Sequence, residues 1–335
     1  MNRVTLRKTI VACAVLAAAL LLAIVLMSLL GSESLPVRAS LCALASFGTS
    51  PCGLTQDQFA ILFQIRLPRI LLAASVGGSL ATAGAGYQAL LRNPLAEPYL
   101  LGISNGAAVG TMIALVFFGT IEWTRPILAF SGALVATFAV YRLARGRAGA
   151  TPERLILAGV IVTTFLSSVI VFVTVLMDAT RIRSFTFWLL GDLSGTSKAL
   201  LPLTIVITIA GVLALTLHAR SLNLLMLGER DAFDLGVEVG RVRILVFLVA
   251  SLLVGSSVAA SGSVGYVGLV VPHLARLSLG SDNRISIPAA ALGGALFVIV
   301  ADTVARTIIA PRELPVGAIT ALIGAPLFIY LLKRA

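Results

Sequence analysis

Charged side chains beside long apolar segments are the residues of this chain with the clearest chemical potential. Arg66 and Arg69 lie three residues apart in QIRLPRILLAA, and Asp302 and Arg306 lie four apart in ADTVAR. A charge at the centre of a membrane helix costs about 2.5–3.5 kcal/mol on insertion scales, so each needs a partner or a function. The four-residue spacing lets Asp302 pair with Arg306. The other two arginines are either interfacial anchors or a basic patch for an acidic partner or an anionic substrate.

Sequence signatures of catalysis are missing. The chain contains no Gly-x-x-x-x-Gly-Lys-Ser/Thr phosphate loop, no His-Glu-x-x-His, no nucleophile elbow and no kinase signature. Its two histidines, His218 and His273, lie far apart in the sequence. We therefore expect a protein that is not an enzyme, binds no metal or cofactor, and does not hydrolyse ATP by the phosphate-loop route.

The longest polar interruption in the second half is LNLLMLGERDAFDLGVEVG, residues 222–240. Apolar residues at three-to-four spacing predict two short amphipathic helices, which Gly228 and Gly236 end. Such helices are too short to span a bilayer, but they can offer Leu225, Met226, Leu227 and Phe233 to a soluble partner. The alternative is a solvated loop that only connects two spans.

A second polar segment, RNPLAEPYLLGISNGAAVG, covers residues 92–110. Its two prolines, Pro94 and Pro98, stop the preceding helix and favour a rigid extended turn. Its polar residues Arg92, Asn93 and Glu97 then lie at the predicted inner face. The pattern fits a structural turn and a mobile gate equally well.

The composition is that of an all-α, polytopic membrane protein. Hydrophobic residues make up 59% of the 335 residues and charged residues 12%, and the mean hydropathy is +1.04. A soluble domain keeps about a quarter of its residues charged, so we predict a single transmembrane domain over residues 1–335. The net charge of +11 indicates basic loops that fix orientation. Nucleic acid binding is not expected, since no basic run contains interleaved aromatic residues.

Apolar segments predict about ten transmembrane helices. They lie at about residues 9–30, 60–91, 100–118, 126–146, 154–177, 199–218, 242–261, 264–279, 286–306 and 315–332. With the N-terminus inside, most of the 25 Lys and Arg residues fall in cytoplasmic segments, among them Arg3, Arg147 and Arg334. The positive-inside rule therefore places both termini, and the loop at about 219–243, in the cytoplasm.

Two glycine-rich stretches suggest an internal duplication. VGGSLATAGAG (76–86) and VGSSVAASGSVG (254–265) align at a fixed offset of 178 residues. Two five-helix halves would face opposite ways, as in the inverted repeats of many transporters. The alternative is chance agreement caused by the abundance of small residues, which suit helices packed closely in lipid.

The three cysteines give no metal-ligand or redox spacing. Cys13 lies in the first apolar segment, while Cys42 and Cys52 share the first loop. If that loop is outside the membrane, the two can form a disulfide. Of the two alternatives, we expect unpaired thiols.

Several longer motifs together resemble a known family. They are RLPRILLAASVGGSLATAGAGYQALLRNPLAEPYLLGISNGAAVG, LGERDAFDLG, SGSVGYVGLVVPHLARLSLGSDNR, ADTVAR and ELPVGAITALIGAPLFIYLLKR. In this order they resemble the permease subunit of type II ATP-binding-cassette (ABC) importers for iron chelates and cobalamin, the FecCD-type iron transport permease family. The resemblance covers roughly residues 55–335.

The resemblance implies a function and a set of partners. A family member lies in the bacterial inner membrane and pairs with a second copy of itself around a central path. It binds two cytoplasmic ATPase subunits, which hold the ATP and magnesium, and receives its substrate from a periplasmic binding protein. Transport proceeds by alternating access. The substrate is expected to be an iron chelate, either a siderophore or haem, and the alternative is cobalamin.

The resemblance also assigns functions to individual residues. The segment matching the ATPase-coupling helices contains Leu225, Met226, Leu227, Gly228, Glu229, Ala232, Phe233, Leu235 and Gly236. Arg66, Arg69 and Arg306 match residues that point outward to receive acidic residues of the binding protein. Asn93 and Leu95 match a cytoplasmic gate, and Thr151 and Pro152 stand at a second gate segment, although their types depart from the family pattern.

The rival prediction is a secondary transporter driven by an ion gradient. That class places carboxylates in the middle of several spans as proton or sodium sites. Here Asp302 is the best candidate, and it has an arginine nearby. The other acids close to spans fall at predicted outer ends; they are Glu122, Asp178, Asp192 and Glu313. A membrane enzyme is a more distant alternative.

Overall fold

The computed structural model describes residues 6–119, 121, 123–146, 149–194 and 200–333. Four residues used in the sequence predictions, Arg3, Glu122, Arg147 and Arg334, lie outside this set. The α-helices of the described residues are α1 Leu6–Leu29, α2 Val37–Ala45, α3 Gln56–Ala60, α4 Leu67–Leu90, α5 Ile103–Ile113, α6 Thr124–Ala144, α7 Pro152–Leu176, α8 Ala179–Leu189, α9 Leu200–Leu217, α10 Ala219–Leu227, α11 Glu229–Asp234, α12 Val239–Ser261, α13 Val267–Leu279, α14 Asn283–Thr307 and α15 Val316–Leu332.

Shorter elements connect or extend these helices. A π-helical segment, Ile61–Arg66, joins α3 to α4, and another, Ala114–Phe118, extends α5. A 3₁₀ turn, Pro98–Leu101, precedes α5. The antiparallel strands β1 Arg145–Gly146 and β2 Gly149–Ala150 form a small hairpin between α6 and α7.

The prediction of about ten apolar helices at the stated positions is confirmed. In the described chain, seven helices are long and apolar enough to cross a membrane, and three shorter apolar helices complete the set at Ile103–Phe118, Val267–Leu279 and Val316–Leu331. Following the predicted orientation, we call the end of the bundle that carries α10 and α11 the inner end. The end that carries α2 and α8 is the outer end.

The core forms where α4 packs between α14 and α12. Gly77 of α4 faces Gly294 of α14 so closely that a Cβ on either glycine would collide with the carbonyl oxygen of the other. Small residues thus bring the two backbones into direct contact, the arrangement by which helices associate in lipid.

Four helices of each predicted half use corresponding packing partners. In the first half α4 packs on α14, and in the second half α12 packs on α6. In the same way α5 packs on α6 and α13 packs on α14. The third matching pair is α6 on α7 and α14 on α15. Gly255, which the 178-residue offset pairs with Gly77, faces Ala133 of α6. The recurring contacts agree with a duplication of these four helices, whereas α1 packs mainly on α14 and its counterpart α9 on α4 and α12.

The expectation of unpaired thiols in the first loop is wrong. Cys42 and Cys52 form a disulfide, with their Cα atoms 5.9 Å apart, while Cys13 is free. The chain reverses after α2 through Phe47 and Gly48, which both have positive φ. This reversal, which sequence spacing alone does not reveal, brings the two cysteines together.

Candidate functional site

The inner end carries the two short helices predicted for the polar stretch. α10 ends at Leu227 and α11 at Asp234. Gly228 separates them and Gly236 follows the second, with φ of 143° and 82°, conformations that glycine adopts without steric cost. The apolar side chains of Leu227, Phe233 and Leu235 are exposed, and Phe233 is 70% accessible. We call these three residues the coupling surface.

Two residues assigned to this surface lie elsewhere. Leu225 and Ala232 are buried in the main core, because they occupy the faces of α10 and α11 that pack on the bundle. Met226 is partly buried, and its sulfur accepts a hydrogen bond from Asn283 Nδ2 at 3.4 Å. The prediction that Leu225 is offered to a partner is therefore wrong.

An asparagine that the sequence did not single out attaches α10 to α14. Asn223 Nδ2 donates to Asp282 Oδ1 at 2.7 Å, and Asn223 Oδ1 accepts from the backbone N–H of Asn283 at 2.9 Å and from its Nδ2 at 2.8 Å. Asp282 also caps α14 through the N–H of Arg284. These hydrogen bonds fix α10 to the start of α14.

Glu229, the first residue of α11, faces the bundle and not the coupling surface. Its Oε1 lies 2.5 Å from Arg243 Nη2 and 3.9 Å from Arg92 Nη2. Arg243 is a buried residue of α12, and its Nη1 donates to the carbonyl of Ala150 at 2.6 Å. These contacts join α11, α12, the loop after α4 and the hairpin before α7.

The predicted gate residues lie on two segments of the inner end. Asn93 Oδ1 accepts a hydrogen bond from the Leu95 N–H at 2.9 Å, which forms a tight turn that leaves Leu95 exposed. Thr151 is the N-cap residue of α7 and Pro152 is its first residue, where proline is well tolerated. Arg92 precedes one segment and Ala150 the other, so the Glu229 contacts reach both.

The outer end holds a network of four charged side chains, three of which are largely covered. Arg69 Nη2 lies 2.9 Å from Asp302 Oδ1 and its Nη1 lies 2.7 Å from Glu313 Oε2. Arg306 Nε lies 3.2 Å from Asp302 Oδ2, which confirms the pair predicted from the four-residue spacing. Asp302 is 1% accessible, and Glu313, at 46%, is the most exposed member. We call these four residues the outer charge cluster.

The outward orientation expected for Arg66 and Arg306 is not found, and Arg69 is only partly exposed. Arg66 is 4% accessible, and its guanidinium donates to the backbone carbonyls of Ser28, Leu29 and Glu33. Arg306 is buried beside Asp302, and most of Arg69 is covered. A buried guanidinium needs acceptors within reach, and carbonyls and carboxylates of this same chain supply them.

Two interhelical linkers meet in the interior, a contact that sequence reasoning missed. The Tyr99 hydroxyl accepts a hydrogen bond from the Val264 N–H at 3.0 Å and donates one to the Val264 carbonyl at 3.1 Å. Glu97 Oε1 accepts from the N–H of Tyr266 at 3.2 Å, just before α13 begins. The linker with Glu97 and Tyr99 follows the inner end of α4. The linker with Val264 and Tyr266 follows the outer end of α12. Their meeting explains why the helices that follow, α5 and α13, are short.

The fold and the site define a multi-pass helical transport permease. Residues 15–334 match the FecCD transport family, so the chain belongs to that family. A cobalamin import system permease protein of Halobacterium salinarum is 42% identical over 281 residues, covering 84% of this chain and 75% of its own. A hemin transport system permease protein of Yersinia pestis is 40% identical over 279 residues, covering 82% and 83%.

A solved structure agrees with this assignment. It is described as an inward-facing conformation of a metal-chelate type ABC transporter, with a TM-score of 0.83 and 30% identity, covering 98% of this chain and all of the other. The relatives are transport permeases and not catalytic subunits. The chain is thus an ABC transporter permease.

Proposed function

We propose that this chain is the membrane-spanning permease of an ATP-driven importer that moves an iron chelate, a siderophore or haem, across the bacterial inner membrane by alternating access. The coupling surface is the observation that carries the proposal. Leu227, Phe233 and Leu235 form an exposed apolar patch beside charged residues at the inner end, and such a patch is typical of a protein docking site. Both termini lie in the cytoplasm with it.

The partners of the proposed importer follow from this arrangement. Two ATPase subunits bind the coupling surfaces of two copies of the chain, and the ATP and magnesium belong to those subunits. The chain itself binds no cofactor. ATP binding closes the ATPase pair, and the coupling helices transmit this movement to the gate segments at Asn93, Leu95, Thr151 and Pro152. A periplasmic binding protein delivers the chelate to the outer end.

Docking of the binding protein involves Arg69 through the outer charge cluster. Because Glu313 is exposed while Asp302 is buried, Glu313 is the carboxylate that an acidic residue of the binding protein can replace. Arg306 holds Asp302 beside Arg69, whereas Arg66 is buried and binds backbone carbonyls. Surface charges of this kind mainly increase the rate of encounter and fix its orientation.

Cobalamin is the second candidate substrate, since one of the two relatives described above is named as a cobalamin permease and the other as a hemin permease. The ion-gradient alternative has less support. Asp302, its best candidate carboxylate, is held by Arg69 and Arg306 of the same chain, whereas a transport carboxylate has to exchange its ion in each cycle.

Uptake by the assembled importer tests the proposal. The chain is reconstituted in proteoliposomes with its ATPase and binding protein, and uptake of a ferric siderophore, haem and cobalamin is compared with and without ATP. We expect ATP-dependent uptake of one iron chelate. Uptake of cobalamin alone would reassign the substrate, and uptake driven by an ion gradient without ATP would contradict the importer.

The matched pair Phe233→Ser and Phe47→Ser tests the coupling surface. Both phenylalanines are exposed, but Phe47 lies on the outer loop. We expect Phe233→Ser to abolish co-purification of the ATPase and Phe47→Ser to leave it intact. Equal co-purification of both variants would contradict the docking site.

A further inference from the structure

Glu229 lies on one of the coupling helices, but its ion-pair partners are residues of the helix bundle. Arg230 and Asp231, the next two residues of α11, are exposed, while the Glu229 carboxylate lies 2.5 Å from Arg243 Nη2. At this distance the carboxylate and the guanidinium are in direct contact as an ion pair. Arg243 is buried, but the Glu229 side chain is 37% exposed, so water screens this ion pair in part. Because the two groups are in contact, movement of α11 is transmitted to the Arg243 side chain.

Arg243 makes a second contact that leads to one gate segment. Its Nη1 donates to the Ala150 carbonyl at 2.6 Å while Nη2 binds Glu229. Ala150 is the last residue of β2, directly before Thr151. A planar guanidinium holds its donors in a fixed geometry, so the positions of α11 and of the hairpin before α7 are set by one rigid group.

Glu229 also faces the other gate segment. Arg92 Nη2 lies 3.9 Å from Glu229 Oε1, and Arg92 directly precedes Asn93. A cavity of about 290 Å³ lies beside this loop, and its lining includes Arg92 and Pro94, Met226 of α10 and His273 of α13. The loop thus has room to move toward or away from the coupling helices while the opposite charges attract each other.

We propose that Glu229 and Arg243 are positioning residues that link α11 to both gate segments, the one before α7 through the Ala150 carbonyl and the one after α4 through Arg92. This inference rests on the proposed function, because it assumes that the ATPase moves α11. It assigns Glu229 to transmission within the permease, and the exposed apolar residues to docking. The two tasks are separable by mutation.

The test compares Glu229→Gln and Arg243→Gln in the complete reconstituted importer. The readouts are co-purification of the ATPase, ATP hydrolysis and chelate uptake. We expect both variants to retain the ATPase, and uptake to fall more than hydrolysis, so that the ATP consumed per transported molecule rises about ten-fold. A residue that only stabilised the fold would lower assembly and leave this ratio near the wild-type value.

The control is an ion pair of the same segment that reaches neither gate. Glu238 Oε2 lies 2.6 Å from Arg241 Nη1, and both side chains are exposed. Glu238→Gln and Arg241→Gln are expected to keep the wild-type ratio. Glu229→Asp, which preserves the charge, is expected to recover part of the coupling lost in Glu229→Gln.

The outcomes separate the two levels of the proposal. Absence of ATP-dependent uptake in the wild type contradicts the importer itself. If the wild type transports and Glu229→Gln keeps the ratio of the Glu238→Gln control, the link is wrong. Loss of the ATPase from Glu229→Gln also contradicts it, since Glu229 would then build the docking surface. Should Arg243→Gln fail to fold, Glu229→Gln decides, because Arg243 keeps its bond to Ala150 in that variant.

Discussion

Asp302 of α14 lies 2.9 Å from Arg69 of α4, two residues 233 positions apart in sequence. The carboxylate also pairs with Arg306 one helical turn away. One buried acid therefore compensates two arginines at the outer end of the most closely packed helix pair. The charges first attributed to docking also have a structural function.

Replacing Asp302 by Asn is expected to destabilise the protein by about 3–5 kcal/mol, because it leaves buried guanidiniums without their main counter-charge. Thermal unfolding of the purified protein in detergent measures the change. Asp178→Asn is the control, since Asp178 pairs with Arg181 at the exposed start of α8, where such pairs contribute about 0–1 kcal/mol. Equal stability of the two variants would show that the cluster is not structural.

Glu313→Gln is expected to raise the affinity of the binding protein for the permease by a factor of about 2–5, which corresponds to the free energy of one exposed ion pair. The change removes the carboxylate that occupies Arg69 Nη1. Binding to the permease in nanodiscs is compared with Asp57→Asn, which removes the same charge from an exposed position at the outer end. The same affinity in both variants argues against competition at Arg69.

Gly77→Ala is expected to cost about 1–3 kcal/mol, as overpacking of a closely packed interior does. Its Cβ would meet the Gly294 carbonyl of α14. Gly240→Ala is the matched control, because nothing lies within 4 Å of the added Cβ. Alanine in place of glycine in a helix contributes about 0.5–1 kcal/mol, so Gly240→Ala should unfold at an equal or higher temperature. A harmless Gly77→Ala would refute backbone contact between α4 and α14.

Alkylation followed by mass spectrometry should find Cys13 modified in the unfolded, non-reduced protein, and Cys42 and Cys52 modified only after reduction. The reason is that Cys42 and Cys52 are bonded while Cys13 is free. Structural disulfides persist in oxidising compartments, so this result would also support an outer location of the first loop. Alkylation of all three without reductant would contradict both points.

The helices and their ends were predictable from local sequence. Hydropathy identified the spans because each membrane helix has to satisfy its backbone polar groups internally and present apolar side chains to lipid. Gly228 and Gly236 marked the ends of α10 and α11 because their positive φ is costly for other residues. The Asp302–Arg306 pair followed from spacing along one helix.

Contacts between distant segments were not predictable in this way. The carboxylate that binds Arg69 comes from α14, and Asn223 finds its partners 59 and 60 residues away. Leu225 was misplaced because an amphipathic pattern does not state which of its apolar residues pack inward. Each of these errors concerns side-chain direction, which the tertiary fold decides.

The contact between Gly77 and Gly294 restricts how the molecule can deform. With no side chains between the two backbones, α4 and α14 are in direct contact, and an interior packed this closely resists deformation. We therefore expect the two helices to move as one rigid pair, so that the chain bends at the joints at the ends of the pair. One such joint is Arg92, a non-glycine residue with φ of 50° between α4 and Asn93. Amide hydrogens in the middle of α4 should accordingly exchange last, and those around Arg92 early, when the protein is placed in heavy water.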